Sequence, residues 1–307
     1  MFNRFPGAEL AEKQNEDPST SKAPNSSVTF IYEANVVGLS RNVTITWSKN
    51  VMNYSLVISV ENPSDESQYY TCKIDLKAWQ FWGKKGLKSF DVDGKRVDVY
   101  WDFRQAKFSS NPEPSSDYYV AMVYEEEVVL LIGDLEKDAF KRIKKRPSVV
   151  DPVLLCKKEN VYGKRSFCTK AMLHNGRAEH DVAIEFSLSG LGDPEMWISV
   201  DGYEVIHVMN LHWRFRGNEN VTFNDVVVEI FWDVHDWVYN SNSTPAAPAH
   251  GLFILKPVTP ESCDDNAAVA AADGSCSTST GGDSCDTPRE TPSAPDFFHV
   301  IYAWKIE

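Results

Sequence analysis

The chain has 307 residues, 42% of them hydrophobic and 12% aromatic, enough for two ordinary domains with buried cores. Its formal net charge of −13 argues against sequence-independent nucleic-acid binding, which needs a basic surface to displace phosphate counterions. No apolar run reaches the length of a membrane-spanning helix, and residues 1–24 lack the apolar core of a signal peptide.

An intracellular chain is therefore expected, in the cytoplasm with the nucleus open to it, and not a secreted one. The six cysteines at 72, 156, 168, 263, 276 and 285 form no CxxC pair, so neither a zinc site nor a disulfide framework is expected. No motif calls for a cofactor. Sequons at Asn25, Asn42, Asn53, Asn220 and Asn242 carry no glycan in such a compartment.

Residues 1–26 are rich in Glu, Asp, Ser, Pro and Lys and read as disordered. Short β-rich runs follow at 28–37, 42–47, 55–60, 69–76, 88–92 and 96–102. Asp93-Gly94 joins the last two, a dipeptide suited to the positive φ angles of a two-residue hairpin turn. A loop at 111–116 precedes a strand at 118–124. Glu125-Glu126-Glu127 turns the chain into 128–132. A helix is predicted over 135–145, with Leu135, Ala139, Phe140 and Ile143 on one face and Pro147 ending it. Strands resume at 164–173, turn at Asn175-Gly176 and return at 181–188. Runs 196–200 and 203–211 are linked by Asp201-Gly202, and 221–223, 227–233, 252–255 and 297–306 complete the series. Residues 258–296, rich in Ala, Asp, Ser, Thr and Gly, read as a disordered insertion.

The two series resemble each other. Val97-Asp-Val99-Tyr-Trp101-Asp102 matches Val228-Glu-Ile230-Phe-Trp232-Asp233, and Trp79-Gln-Phe81-Trp-Gly83 matches Trp213-Arg-Phe215-Arg-Gly217. Ile58-Ser-Val60 matches Ile198-Ser-Val200, and 42–47 aligns with 181–186. Downstream, 118–124 aligns with the strand around 252–255, and 128–132 with 299–303. In the matched strands large apolar residues alternate with polar ones, so each copy has its own core face. The expected fold is all-β, two tandem similar antiparallel β units of about eight strands each, as meander barrels or sandwiches. The first spans 27–134 and the second 164–307, joined by a basic linker with one short helix at 135–163. A Trp-Asp propeller repeat is rejected, because Trp101 and Trp232 are 131 residues apart and blades recur every 40 or so.

Trp47-Ser-Lys-Asn50, Tyr70-Thr-Cys-Lys-Ile-Asp-Leu76, Phe90-Asp-Val-Asp-Gly94, Val99-Tyr-Trp-Asp102, Pro114-Ser-Ser-Asp-Tyr-Tyr-Val120 and Glu127-Val-Val-Leu-Leu131 occur in order. So do Asp193-Pro-Glu-Met-Trp-Ile-Ser199, Phe231-Trp-Asp-Val-His-Asp-Trp237, His250-Gly-Leu-Phe253 and Tyr302-Ala-Trp-Lys305. Together they resemble the plant-specific family catalogued as domain of unknown function 868, from about residue 28 to 307. The resemblance implies a plant protein, with no assigned activity and no catalytic residues to carry over.

The densest candidate chemistry is Trp232-Asp-Val-His235-Asp236-Trp237. Asp233 and Asp236 could orient His235 for acid–base work, or join His235 or His250 on a metal. The plainer reading is an Asp that caps a turn and a Trp that fills the core, and no metal site is expected. Asp91-Val-Asp93-Gly94 lacks the further ligands of a calcium loop and reads as a turn. Cys72 and Cys168 read as core residues. Residues 135–170 hold eleven Lys and Arg against four Asp and Glu, a balance of +7 that leaves −20 on the rest. Lys141, Arg142, Lys144, Lys145 and Arg146 are therefore candidate binding residues, for nuclear import or acidic lipid, with Ser148 a possible phosphorylation site beside them. The alternative is a solvated face bridging two acidic units.

These readings favour a non-catalytic binding or adaptor protein for an apolar small molecule or a protein partner, without nucleic acid. The alternative is an enzyme of unrecognised type with its site at Asp233, His235, Asp236 and His250. An enzyme requires those histidines to converge in a concave pocket.

Overall fold

A computed structural model describes residues 26–50, 53–65, 68–77, 83–109, 111–174, 178–187, 193–239, 250–258 and 297–305. Among them there are twenty strands and two helices. The chain opens with β1 (Ser26–Val36), β2 (Leu39–Lys49), β3 (Asn53–Glu61) and β4 (Tyr69–Lys77). It continues with β5 (Lys85–Val92), β6 (Lys95–Asp102), the short β7 (Lys107–Phe108) and β8 (Pro114–Ser116), β9 (Tyr119–Tyr124) and β10 (Glu127–Gly133). Helix α1 (Glu136–Ile143) and the two-residue β11 (Arg146–Pro147) lead to β12 (Val153–Gly163). Then come β13 (Ser166–His174), β14 (Ala178–Ser187), β15 (Glu195–Val200), β16 (Tyr203–Val208), β17 (Arg216–Phe223) and β18 (Val226–Asp233). Helix α2 (His235–Tyr239), β19 (His250–Val258) and β20 (Phe298–Lys305) complete the series.

The strands form a nine-stranded sheet ordered β17-β18-β19-β20-β12-β1-β2-β3-β4, a five-stranded sheet β11-β10-β9-β6-β5, a four-stranded sheet β13-β14-β15-β16 and the ribbon β7-β8. None closes on itself, so the barrel alternative gives way to open sheets. The physical reason lies at two corners. β4 and β5 are consecutive yet pair in different sheets, as are β16 and β17, so the chain turns over the core where a barrel would extend its ladder.

Alternation builds two cores. In the first, Ile45, Trp47, Leu56 and Ile58 of one sheet meet Val97, Val99, Val120 and Met122 of the other. In the second, Ile184, Phe186, Met196 and Ile198 meet Val228, Ile230, Trp232, Phe253 and Leu255. Burying each such side chain is worth about 1.5–3 kcal/mol relative to exposure. Residues opposite each other on neighbouring strands share a face. Val28 and Phe30 stand opposite Glu159 and Lys157, which in turn stand beside Ile301 and His299. Both cores therefore lie on the same face of the nine-stranded sheet, with β12 beneath the seam between them.

Strand β9 is buried on both faces. Val120 and Met122 point into the first core, while Tyr119, Ala121 and Val123 lie under Ala139 and Ile143 of α1. The helix ends at Lys144, which takes a left-handed φ of 56°. Pro147, expected to end it, lies beyond, in β11 alongside β10. At the Asp93-Gly94 and Asp201-Gly202 turns both residues have positive φ, as a two-residue hairpin of this type requires. Asp91 accepts from the backbone N–H of Gly94 at 2.7 Å, and the Tyr70 hydroxyl and the buried Arg41 guanidinium hold the Asp93 carboxyl below the usual range.

Two expectations need correction. Residues 153–163 of the expected linker form β12, a central strand whose inward Lys157 and Glu159 disguise its alternation. Cys168 is exposed, because Phe167, Ala171 and Leu173 take the core face of β13 and position 168 falls on the other. After Asp233, whose side chain accepts from the N–H of His235, the chain enters the short helix α2 with Trp237 buried. The Asn175-Gly176 turn lies outside the described residues, as do the expected disordered stretches 1–26 and 258–296 except for Ser26, which opens β1, and Val258, which ends β19. Among the described residues no helix is long and apolar enough to cross a membrane.

Candidate functional site

The loop after β16 is pinned from beneath and presents its side chains outward. Leu211 is fully buried, and its N–H donates to Pro194 O at 2.9 Å. Asn210 takes a left-handed φ of 56° and accepts from the N–H groups of Trp213 and Arg214 at 2.9 and 3.0 Å. Trp213 at the tip is 87% exposed. An indole held this far into water by an anchored turn serves no packing in the chain itself.

Helix α2 flanks the loop. The side chain of Asp233, at the end of β18, accepts from the N–H of His235 at 3.1 Å and from Arg216 Nε at 2.7 Å. Asp102 holds the corresponding turn, accepting from the N–H of Arg104 at 3.2 Å. Trp237 points inward and stacks on Phe186 with ring centres 4.8 Å apart. His235 and Tyr239 point outward. Phe215 packs edge-on to His235 at 5.2 Å and to Tyr239 at 5.8 Å, and the Tyr239 hydroxyl donates to His212 O. Tyr239 is 47% exposed, so the three rings form an aromatic cluster with one edge at the surface. His235 meets Asp236 at 3.2 Å. His250 instead packs on Trp304 at 4.7 Å across β19 and β20. Among the described residues no hydrogen bond or ion pair joins it to Asp233, His235 or Asp236.

The basic segment divides. Arg142 reaches inward, donating to Trp101 O and the Tyr119 hydroxyl at 3.0 Å and to Gly86 O at 2.9 Å. Lys145 pairs with Glu126 and Arg146 with Glu127. The backbone N–H of Ser148 donates to Val128 O at 3.1 Å. Lys141 and Lys144 remain exposed.

A charged cluster that pattern reading missed lies in the seam. His299, 0% exposed, shares a 2.6 Å hydrogen bond with Glu159, itself 6% exposed. The Thr169 hydroxyl also donates to Glu159. Lys157 donates to Lys170 O at 2.6 Å and stands 3.9 Å from Glu159. Burial, the dominant effect, lowers the His299 pKa against the pull of Glu159, so the imidazole is neutral at pH 7. Burial opposes ionisation of Glu159, yet His299 and Lys157 bring its carboxyl below the usual range. Nearby Glu113 is raised by burial, although it accepts from the Tyr118 hydroxyl at 2.8 Å. His299 pairs with Leu255 on β19 as Leu130 pairs with Met122 on β9. The sequence alignment of 128–132 with 299–303 sets the histidine against Val128, which is buried, and a histidine at that apolar position was the available signal.

A family model described as plant protein of unknown function (DUF868) matches residues 23–305. No curated protein and no solved structure matches the chain.

Proposed function

The chain belongs to this plant family of unknown function, and we propose that it is a non-catalytic adaptor that docks a peptide segment of a protein partner. The carrying observation is Trp213, 87% exposed on an anchored loop, in which the neighbouring His212 accepts at its carbonyl from Tyr239 and Phe215 packs on His235 and Tyr239. Trp, Tyr, Met and Arg dominate the energetic centres of protein interfaces. Peptides selected from a displayed library on the purified chain are expected to bind Trp213→Ala about thirtyfold more weakly or worse, the effect of about 2 kcal/mol expected of a central aromatic anchor. The melting temperature should not move, because the indole is exposed. Selected peptides that bind Trp213→Ala as well as the parent chain would sink this reading.

The two halves are, on this reading, copies of one unit. The pairs Val43–Val60, Ile45–Ile58 and Trp47–Leu56 have counterparts in Val182–Val200, Ile184–Ile198 and Phe186–Met196. The Trp101 indole donates to Gly83 O at 2.8 Å, and that of Trp232 to Arg214 O at 3.0 Å. Gly86 thus corresponds to Gly217, a register three residues away from the Gly83 match that the sequence suggests.

An intracellular location, cytoplasmic with access to the nucleus, fits the free thiols of Cys72, Cys156 and Cys168. A fluorescent fusion in plant cells should stay inside the plasma membrane. Signal from the cell wall space would contradict it.

A further inference from the structure

The guanidinium of Arg142 bonds to neutral oxygens, those of Trp101, Gly86 and Tyr119. Arginine stays charged in proteins, and among the described residues no carboxylate lies within ion-pair distance of this partly buried charge. It lines a cleft of about 460 Å³ between α1 and the ends of β5 and β6. On the same cleft, a single carboxylate serves two cations. Asp102 meets Arg104 at 2.8 Å and Lys85 at 3.3 Å. Lys141 adds an ammonium from α1, with no ion pair among the described residues. The walls therefore carry Lys85, Arg104, Lys141 and Arg142 against Asp102 and Asp138, an excess of two positive charges in a chain of net charge −13.

We propose that this cleft binds a small molecule carrying a phosphate or pyrophosphate group. Two unbalanced cations match the charge of a phosphoryl dianion, whereas a single carboxylate would leave one unbalanced. Arg104 turns Nε and Nη2 onto Asp102 at 3.0 and 2.8 Å, so its Nη1 and the ammonium of Lys141 are the donors suited to the phosphate oxygens. The volume is that of a small-ligand site. The acidic remainder of the chain repels extended polyanions such as nucleic acid or an anionic bilayer, which favours a compact ligand. The site lies in the first half, apart from Trp213 and the aromatic cluster, and stands independently of the docking role.

Isothermal titration of the full chain with inorganic pyrophosphate at low salt tests this. One saturable site is expected, weakened about tenfold by Lys141→Gln and by Arg104→Gln, the loss of one charge-assisted hydrogen bond each. Lys144→Gln, which neutralises a lysine outside the cleft, should leave the affinity unchanged. No binding at millimolar pyrophosphate would overturn the proposal. So would an affinity that falls equally with all three substitutions, since that is diffuse attraction to the basic segment.

Discussion

Replacing Glu159 with leucine is expected to lower the unfolding free energy by about 3–5 kcal/mol, the range for breaking a buried ion pair from one side. The carboxylate receives His299 at 2.6 Å and the Thr169 hydroxyl, and it is the acidic partner of buried Lys157. Leucine would leave a buried ammonium whose hydrogen-bond acceptor among the described residues is the Lys170 carbonyl, and would take away the acceptor of the His299 N–H. His299→Leu should cost less, about 1–3 kcal/mol, because it removes a neutral donor and places leucine where Leu130 stands in the first half. Urea unfolding of both variants measures the difference. Equal losses, or a milder effect at Glu159, would mean that the seam is held by packing rather than by the carboxylate.

The same cluster sets an acid limit. His299 titrates below its ordinary value in the folded chain, so the unfolded chain binds the proton first. Stability is then full above about pH 6.5 and falls as pH drops toward the folded value. Glu159 acts in the same direction in a lower window, because its folded pKa is also depressed. Glu113 acts oppositely, since its raised pKa makes ionisation costly and protonation stabilising. Comparing parent chain with His299→Leu isolates the imidazole. The loss of stability between pH 7 and pH 5.5 should shrink in the variant, and an unchanged slope would remove His299 from the explanation.

Local pattern exposed the strands because one face of each is buried. The alternation in Val97-Asp-Val99-Tyr-Trp101 and the turn chemistry of Asp93-Gly94 are short-range facts, and both appear in the structure as read. What stayed hidden depends on distant pairing. Strand β12 puts Lys157 and Glu159 on the core side, so its period-two signal is broken by the residues that matter most there. Its neighbours are β1, from Glu33 opposite Val153 to Val28 opposite Glu159, and β20, from Phe298 beside Cys156 to Lys305 beside Gly163. No window of sequence contains that seam. The aromatic cluster was half legible. Trp232-Asp-Val-His235-Asp236-Trp237 drew attention as titratable chemistry, but α2 turns Trp237 inward and His235 toward Phe215 and Tyr239. His250 was grouped with them by composition, whereas the ladder sets it against Trp304.

Alanine at Gly86 and alanine at Gly217 are expected to destabilise the chain to a similar extent, by about 3 kcal/mol each, near the upper end of ordinary overpacking. Gly86 faces Trp101 across β5 and β6, and Gly217 faces Trp232 across β17 and β18. A methyl group would stand 2.2 Å from Trp101 Cζ2 at the first position and 2.3 Å from Trp232 Cζ2 at the second. Neither indole can swing aside freely. Each is buried in a core, and each ring N–H is tied to a backbone carbonyl three residues before its glycine. The first substitution carries an added strain, because Gly86 O accepts from Arg142 at 2.9 Å. A shift of β5 would loosen α1 as well, so Gly86→Ala should also weaken pyrophosphate binding in the adjoining cleft, and Gly217→Ala should not. Thermal unfolding of both variants supplies the comparison. Similar losses agree with two copies that solved one packing problem in one way. Tolerance of alanine at either glycine would separate the two cores and remove the main geometric support for a repeated unit.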